Sequence, residues 1–276
     1  MKRKFNYHTH TKYCDGADAP RAYVEEAIKL GFSTLGFSSH APTKEKNTFS
    51  LQMDEVSLYV SEIRALQTEY ASQIKVLLSL EMDYIPGHTY PFSEFKEKLG
   101  LDYTIGAIHL VKSADSLWFI DGGKIESYDR GLHTCFADDI RKGVKAYFTQ
   151  MNEMLQVEKP TILAHFDKIT MNNKGRYFSQ DEPWYHKLVQ ESIDVIKQND
   201  TIVEINTRGL YKGRSDDFFP CKFIIQQLKQ AKIPTTISLD AHKLEELSQG
   251  FDNAYNCLLS FGYKEAGEKN GILIFE

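Results

Sequence analysis

Six of the nine histidines in this chain occupy one kind of position, at or just beyond the end of a short run rich in β-branched and aromatic residues. They are His8, His10, His40, His109, His165 and His242; only His88, His133 and His186 fall elsewhere. Three acids share the pattern: Asp15 just after the first run, Glu81 at the end of the third, and Asp240 two residues before His242. Neutral imidazole and carboxylate are the ligands that Zn²⁺, Mn²⁺ or Fe²⁺ take, and one carboxylate can bridge two ions. Residues i and i+2 of a strand share a face, so His8 and His10 project together. Asp240 and His242 have the same spacing, with His242 in the loop beyond the strand. Any one of these histidines alone would read as a hydrogen-bonded core side chain; their recurrence points to a metal cluster. Glu81 follows the apolar run Val76-Leu77-Leu78, where an unpaired buried carboxylate would be costly.

Other catalytic schemes fit less well. The chain has no GxSxG nucleophile elbow, no Walker A pattern and no GxGxxG. Cys14 lies beside Asp15, but nothing in the sequence supplies the lowered pKa that a thiol nucleophile needs.

The elements that must position these groups alternate between two periods. Strands are expected over residues 4–9, 34–38, 75–80, 103–108, 161–164, 202–206 and 235–239, with a last apolar run at 271–275. Helical patterns fill 20–30, 53–72, 138–155, 182–198, 217–231 and 243–261. Such βα alternation builds a mainly parallel sheet. About seven units suggest a closed barrel, with a doubly wound open sheet as the alternative. Barrel catalysts collect their site residues at the C-terminal strand ends, where these ligands fall.

The bulk composition agrees. A single α/β barrel domain over residues 1–276 suits the length, and 42% hydrophobic with 26% charged residues are globular values. A net charge of −5 disfavours nucleic-acid binding. Cys14, Cys135, Cys221 and Cys257 form no CxxC pair, so free thiols in a reducing cytoplasm are expected. No signal peptide is apparent, and no apolar run approaches the ~18 residues of a membrane span.

These motifs resemble the polymerase-and-histidinol-phosphatase (PHP) superfamily. The resemblance rests on HTHT at 8–11, SSH at 38–40, the Glu81 run, AIH at 107–109, AHFD at 164–167 and DAH at 240–242. LEMDYIPG at 80–87, LDYTIGAIHLV at 101–111 and EINTRGL at 204–210 look like its histidinol-phosphate phosphatase branch rather than its polymerase-associated exonuclease branch. The similarity runs from residue 5 to about residue 245. It implies a distorted (β/α)₇, TIM-like barrel with a trinuclear centre. The first metal would take His8, His10, Glu81 and Asp240, and the second Glu81, His109 and His165. The third would take Asp15, His40 and His242, with Asp15 standing where some relatives carry His. Two or three divalent ions (Zn, Mn or Fe) are therefore expected.

The activity implied is hydrolysis of a small phosphate monoester, L-histidinol phosphate, in histidine biosynthesis. A hydroxide bridging the first two metals would attack phosphorus, and Asp240 or His242 would manage a proton. Arg208 and Arg176 are the expected phosphate contacts, since guanidinium offers a planar donor fork; Lys212 and Arg214 are weaker candidates. Asp83 and Trp118 are candidates for the substrate's ammonium and imidazole. A nuclease or nucleotide phosphodiesterase with the same metals is the rival. A non-catalytic scaffold would require lost ligands, and none is lost.

Overall fold

The computed structural model describes residues 2–45, 47–114 and 116–276. Its strands are, in chain order, β1 (Lys4–Asn6), β2 (Phe32–Phe37), β3 (Lys75–Leu78), β4 (Glu81–Asp83), β5 (Ile105–Ala107) and β6 (Leu110–Ser113). Then come β7 (Ser116–Phe119), β8 (Ile162–Leu163), β9 (Ile202–Asn206), β10 (Thr235–Ser238), β11 (Glu265–Lys269) and β12 (Ile272–Phe275). Every residue of β9 and β10 is buried, as strands covered on both faces require.

The parallel strands follow the βα order read from the sequence, but they do not join into one closed ladder. β1, β2 and β3 form a three-stranded parallel sheet, and a seven-stranded sheet runs β11-β12-β10-β9-β8-β5-β4. Two isolated parallel bridges connect the sheets, Thr9 to Ala241 and His40 to Glu81. At the first of these seams a side chain replaces part of the ladder. Asn6 Oδ1 accepts from Leu239 N at 2.8 Å, while Asn6 Nδ2 donates to the His8 carbonyl at 2.9 Å. Beyond it, His10 N donates to the Ala241 carbonyl at 2.8 Å. At the second, Ala41 N donates to the Glu81 carbonyl at 2.8 Å. Both seams lie where the metal-type residues gather.

Helices Pro20–Lys29 and Pro183–Asn199 begin with proline, whose fixed φ and missing N–H suit a first helical position. Helix Ile140–Val157 is capped by Asp139, whose side chain accepts from Lys142 N at 3.1 Å. The helix expected over 243–261 is broken in two. A 3₁₀ turn, Leu244–Ser248, precedes helix Phe251–Ser260, and Gly250 between them has φ +79°. The expectation over 217–231 shrinks to Lys222–Ala231. Two helices, Phe92–Leu99 and Ile125–Phe136, and the antiparallel hairpin β6–β7 carry no counterpart in the sequence reading. One contiguous hydrophobic cluster runs from Phe5 to Phe275.

Candidate metal centre

Each strand end delivers its residue to one rim. His8 and His10 flank Thr9 at the seam with Ala241, and His40 stands opposite Glu81 across the other. His109 lies two residues beyond β5, His165 two beyond β8, and Asp240 and His242 follow β10. Asp15 arrives on a loop folded back over the strand end, where Gly16 N donates to the Thr11 carbonyl at 3.1 Å and Ala17 N to the His242 carbonyl at 2.7 Å. The loop touches the strand so closely at Gly16 that a Cβ there would lie 2.4 Å from Thr11 N and 2.5 Å from the His10 carbonyl carbon.

Glu81 is the centre of the cluster and divides it. Its Oε2 lies 3.2 Å from His8 Nε2, 3.4 Å from His10 Nε2 and 3.1 Å from His40 Nδ1. Its Oε1 lies 3.0 Å from His165 Nε2 and 3.6 Å from His109 Nε2. Asp240 Oδ1 adds a contact of 3.4 Å to His10 Nε2 and one of 3.4 Å to His242 Nδ1. Asp15 Oδ1 reaches His242 Nε2 at 3.3 Å, His10 Nδ1 at 3.6 Å and His40 Nε2 at 3.8 Å. Among the described residues the ligand-type atoms thus fall into four overlapping groups: His8, His10 and Glu81; Glu81, His109 and His165; His10, Asp15, His40 and His242; and His40, Asp83 and His109.

The hydrogen-bond chemistry of these groups fits cations. Glu204 Oε2 holds His8 Nδ1 at 2.9 Å, and Asp83 Oδ1 holds His109 Nδ1 at 2.8 Å. A carboxylate on one ring nitrogen fixes the proton there and turns the lone pair of the other outward, the usual arrangement behind a metal-ligating histidine. In the neutral tautomer both Nε2 lone pairs therefore face Glu81 oxygens, acceptor against acceptor, unless a positive charge lies between them. His8 Nε2, His10 Nε2 and His40 Nδ1 are buried and make no hydrogen bond among the described residues. Unpaired buried polar atoms are costly, and divalent ions would satisfy them.

The protonation preferences say the same. Burial works against an imidazolium at His8, but Glu204, Glu81 and Asp240 overcome it and raise the pKa. At His109 burial is likewise outweighed, by Asp83, Asp121 and Glu81, and the pKa rises to about 10. Burial disfavours the Glu81 carboxylate, yet His8, His40 and His109 hold its pKa well below the usual range. Asp240 is held low against burial by His8, His10 and Arg208. Positive charge is thus favoured at His8 and His109, whereas burial keeps His10 and His165 neutral, the form in which an imidazole binds metal. Backbone strain marks the same place: His165 and Asp240 have φ of +23° and +53°, uncommon for residues with a Cβ.

Above the cluster opens a cleft of about 350 Å³, lined by Asp15, His40, Glu81, His109, Asp240 and His242 and, around them, by Phe49, Phe119, Asp121, Lys168, Arg208 and Arg214. Arg208 is where the sequence put it. Its Nη1 donates to Glu246 Oε2 at 2.7 Å and to the Asp240 carbonyl at 2.8 Å, which fixes the guanidinium beside the metal-type ligands. Arg176 is a correction. It is absent from the cleft lining, and its fork is taken by Asp129 in two bonds of 2.9 and 2.8 Å. Lys168 and Arg214 stand in the cleft instead, and Lys212 is tied to Glu246 at 2.9 Å. Trp118 is also no substrate wall: it is fully buried between Tyr128 and Phe136, with Nε1 bonded to the Tyr128 carbonyl. Asp83 is spent on His109. Cys14 lies 3.5 Å from His10 Nδ1, and burial pushes its pKa up to about 11, so it is a poor nucleophile.

The sequence reading passed over Glu204, which besides His8 accepts from His165 N at 2.9 Å and from Asn206 Nδ2 at 2.8 Å. Its signal was present: a carboxylate in the apolar run Ile202-Val203-Glu204-Ile205, the same anomaly that singled out Glu81. Glu246, which anchors Arg208, Lys212 and the His242 amide, had no such signal.

The PHP domain family matches residues 6–208, and the chain belongs to it. Among its curated relatives, the histidinol-phosphatase of Bacillus subtilis is 25% identical over 263 residues, covering 91% of this chain and 97% of the relative. Two crystal structures share the fold. HisK of Listeria monocytogenes has a TM-score of 0.80 at 21% identity, covering 91% of this chain and 99% of that one. Histidinol phosphate phosphatase from Lactococcus lactis, complexed with Zn, L-histidinol and phosphate, has a TM-score of 0.66 at 20% identity and covers 99% of each chain.

Proposed function

We propose that this protein is a histidinol-phosphatase, a metal-dependent phosphomonoesterase that converts L-histidinol phosphate to L-histidinol and phosphate. The observation that carries this reading is the Glu81 carboxylate placed within 4 Å of five imidazoles at the floor of a cleft with a cationic rim. Full-length likeness to the Bacillus subtilis enzyme supports the substrate. The seven parallel strand positions, with β3 and β4 counted as one interrupted strand, are read as a distorted (β/α)₇ barrel, and residues 1–276 as one domain acting in the cytoplasm. That no described helix is long and apolar enough to cross a membrane accords with this reading.

In this reading His8, His10, Glu81 and Asp240 hold a first ion, Glu81, His109 and His165 a second, and Asp15, His40 and His242 a third. Divalent Zn, Mn or Fe bound there would supply Lewis acidity toward the phosphoryl oxygens and a water ionised near neutral pH. The protein's own groups do the rest. Glu204 and Asp83 orient His8 and His109. Arg208, fixed by Glu246, and Lys168 and Arg214 draw in the phosphate dianion and neutralise its oxygens. Asp240 and His242, 3.4 Å apart, form the pair that handles the proton.

The test is metal analysis of the purified protein together with two assays before and after chelation: phosphate release from L-histidinol phosphate, and cleavage of a nucleoside 5′-aryl phosphate diester. The expected result is bound divalent metal and fast monoester hydrolysis, lost on chelation and restored by Zn, Mn or Fe. Full activity after complete metal removal, or faster turnover of the diester, overturns the reading.

A further inference from the structure

The cleft has one side that phosphate chemistry does not explain. Phe49, from the segment after His40, and Phe119, at the end of β7, both line it. Their rings are 19° from parallel with centroids 6.5 Å apart, and Phe119 is 40% exposed. Phe49 also packs edge-on against the His40 ring, at 5.6 Å. Phe119 lies so close over Gly122 that a Cβ there would come within 3.0 Å of the ring, so the turn after the hairpin is shaped to the phenyl group.

Two residues beyond Phe119, Asp121 reaches the same cleft. Its Oδ1 is buried with no hydrogen-bond partner among the described residues. Its Oδ2 is 3.6 Å from Lys168 Nζ and 3.9 Å from His109 Nε2. A buried carboxylate oxygen without a partner is costly. A ligand ammonium is the natural donor for it.

We infer that the β6–β7 hairpin and its following turn form the leaving-group subsite, with Phe49 and Phe119 receiving a flat ring and Asp121 an ammonium. This rests on the proposed function and adds to it the residues that select the alcohol. The arrangement matches the chemistry of L-histidinol phosphate. Its ammonium is separated from the ester oxygen by only two carbons, so the group that binds it must stand beside the phosphate cations, as Asp121 stands beside Lys168. Its imidazole extends one carbon farther, toward the aromatic pair. A plain alkyl phosphate has neither handle.

The experiment compares kcat/KM for L-histidinol phosphate and for propyl phosphate in the wild type and in Phe119→Ala, Phe49→Ala and Asp121→Asn. The wild-type preference for histidinol phosphate is expected to fall roughly tenfold in each phenylalanine variant, the worth of an aromatic contact. For Asp121→Asn the expected fall is about 10–100-fold, the worth of a charged hydrogen bond. Phe119→Tyr, which keeps the ring face, should retain the preference. Calorimetric affinity for L-histidinol should weaken in parallel, a readout independent of turnover, and circular dichroism would set aside a misfolded variant in favour of Phe119→Leu. A wild type that prefers histidinol phosphate, with variants that keep the full preference, overturns the subsite alone. A wild type with no preference overturns the proposed substrate as well.

Discussion

Glu204 shows how far the reactive geometry depends on residues that never face the substrate. It touches His8, His165 and Asn206, and Asn206 in turn donates to Asp240 Oδ2 at 3.1 Å. One carboxylate on β9 therefore orients groups on three other strand ends. Glu204→Gln preserves the shape and removes the charge that fixes the His8 tautomer. Its expected effect is a ~10–100-fold loss of metal affinity, the range found for partners behind ligating histidines. Competition titration with a zinc chelator measures it, and an unchanged affinity would reduce Glu204 to a packing residue. Arg176 teaches the converse. Its distance from the ligands in sequence is no different in kind from that of Arg208, but Asp129, 47 positions away, claims its fork. Which arginine lines the cleft depends on partners that only the folded chain brings near.

The loop from Thr11 to Asp18 is held as one piece: Lys12 N donates to the Asp18 carbonyl, Cys14 N and Gly16 N to Thr11, and Ala17 N to His242. Gly16→Ala would drive a methyl group into the backbone of residues 10 and 11. The expected outcome is a displaced Asp15 and the loss of about one bound ion of the three proposed, with the His109–His165 side unaffected. Metal stoichiometry by elemental analysis, on protein whose circular dichroism is unchanged, checks it; full stoichiometry refutes it. Much at this level could be read from the sequence. The parallel strands announced themselves as apolar runs, and most ended just before a ligand, although β9 is followed by none and Glu81 opens β4. The β6–β7 hairpin did not, because Ser113 and Ser116 interrupt its two short runs, and only Val111 and Trp118 in it are buried. Gly250 likewise broke a continuous helical pattern through a local φ that periodicity does not sense.

Taken whole, two separate sheets of mainly parallel strands meet at two places through single bridges rather than ladders. Asn6 substitutes for missing backbone bonds at one of them, through Leu239 N, the His8 carbonyl and Thr9 Oγ1 at 2.8 Å. Asn6→Ala would leave the buried Leu239 N–H unpaired, at about 2 kcal/mol. In a chain of this size that is a fall of roughly 3–4 °C in Tm, to be measured on metal-free protein. A melting point within a degree of the wild type would mean that the seam draws its stability from elsewhere.

That seam has a consequence for the life of the protein. His8 and His10 sit on one side of it and Asp240 and His242 on the other, so an ion shared between them ties the first strand of the chain to the last parallel one. Catalyst and fastening would then be the same atoms. Removing the ions should therefore loosen that junction as well as stop turnover, and a lower Tm after chelation is the measurement that checks it.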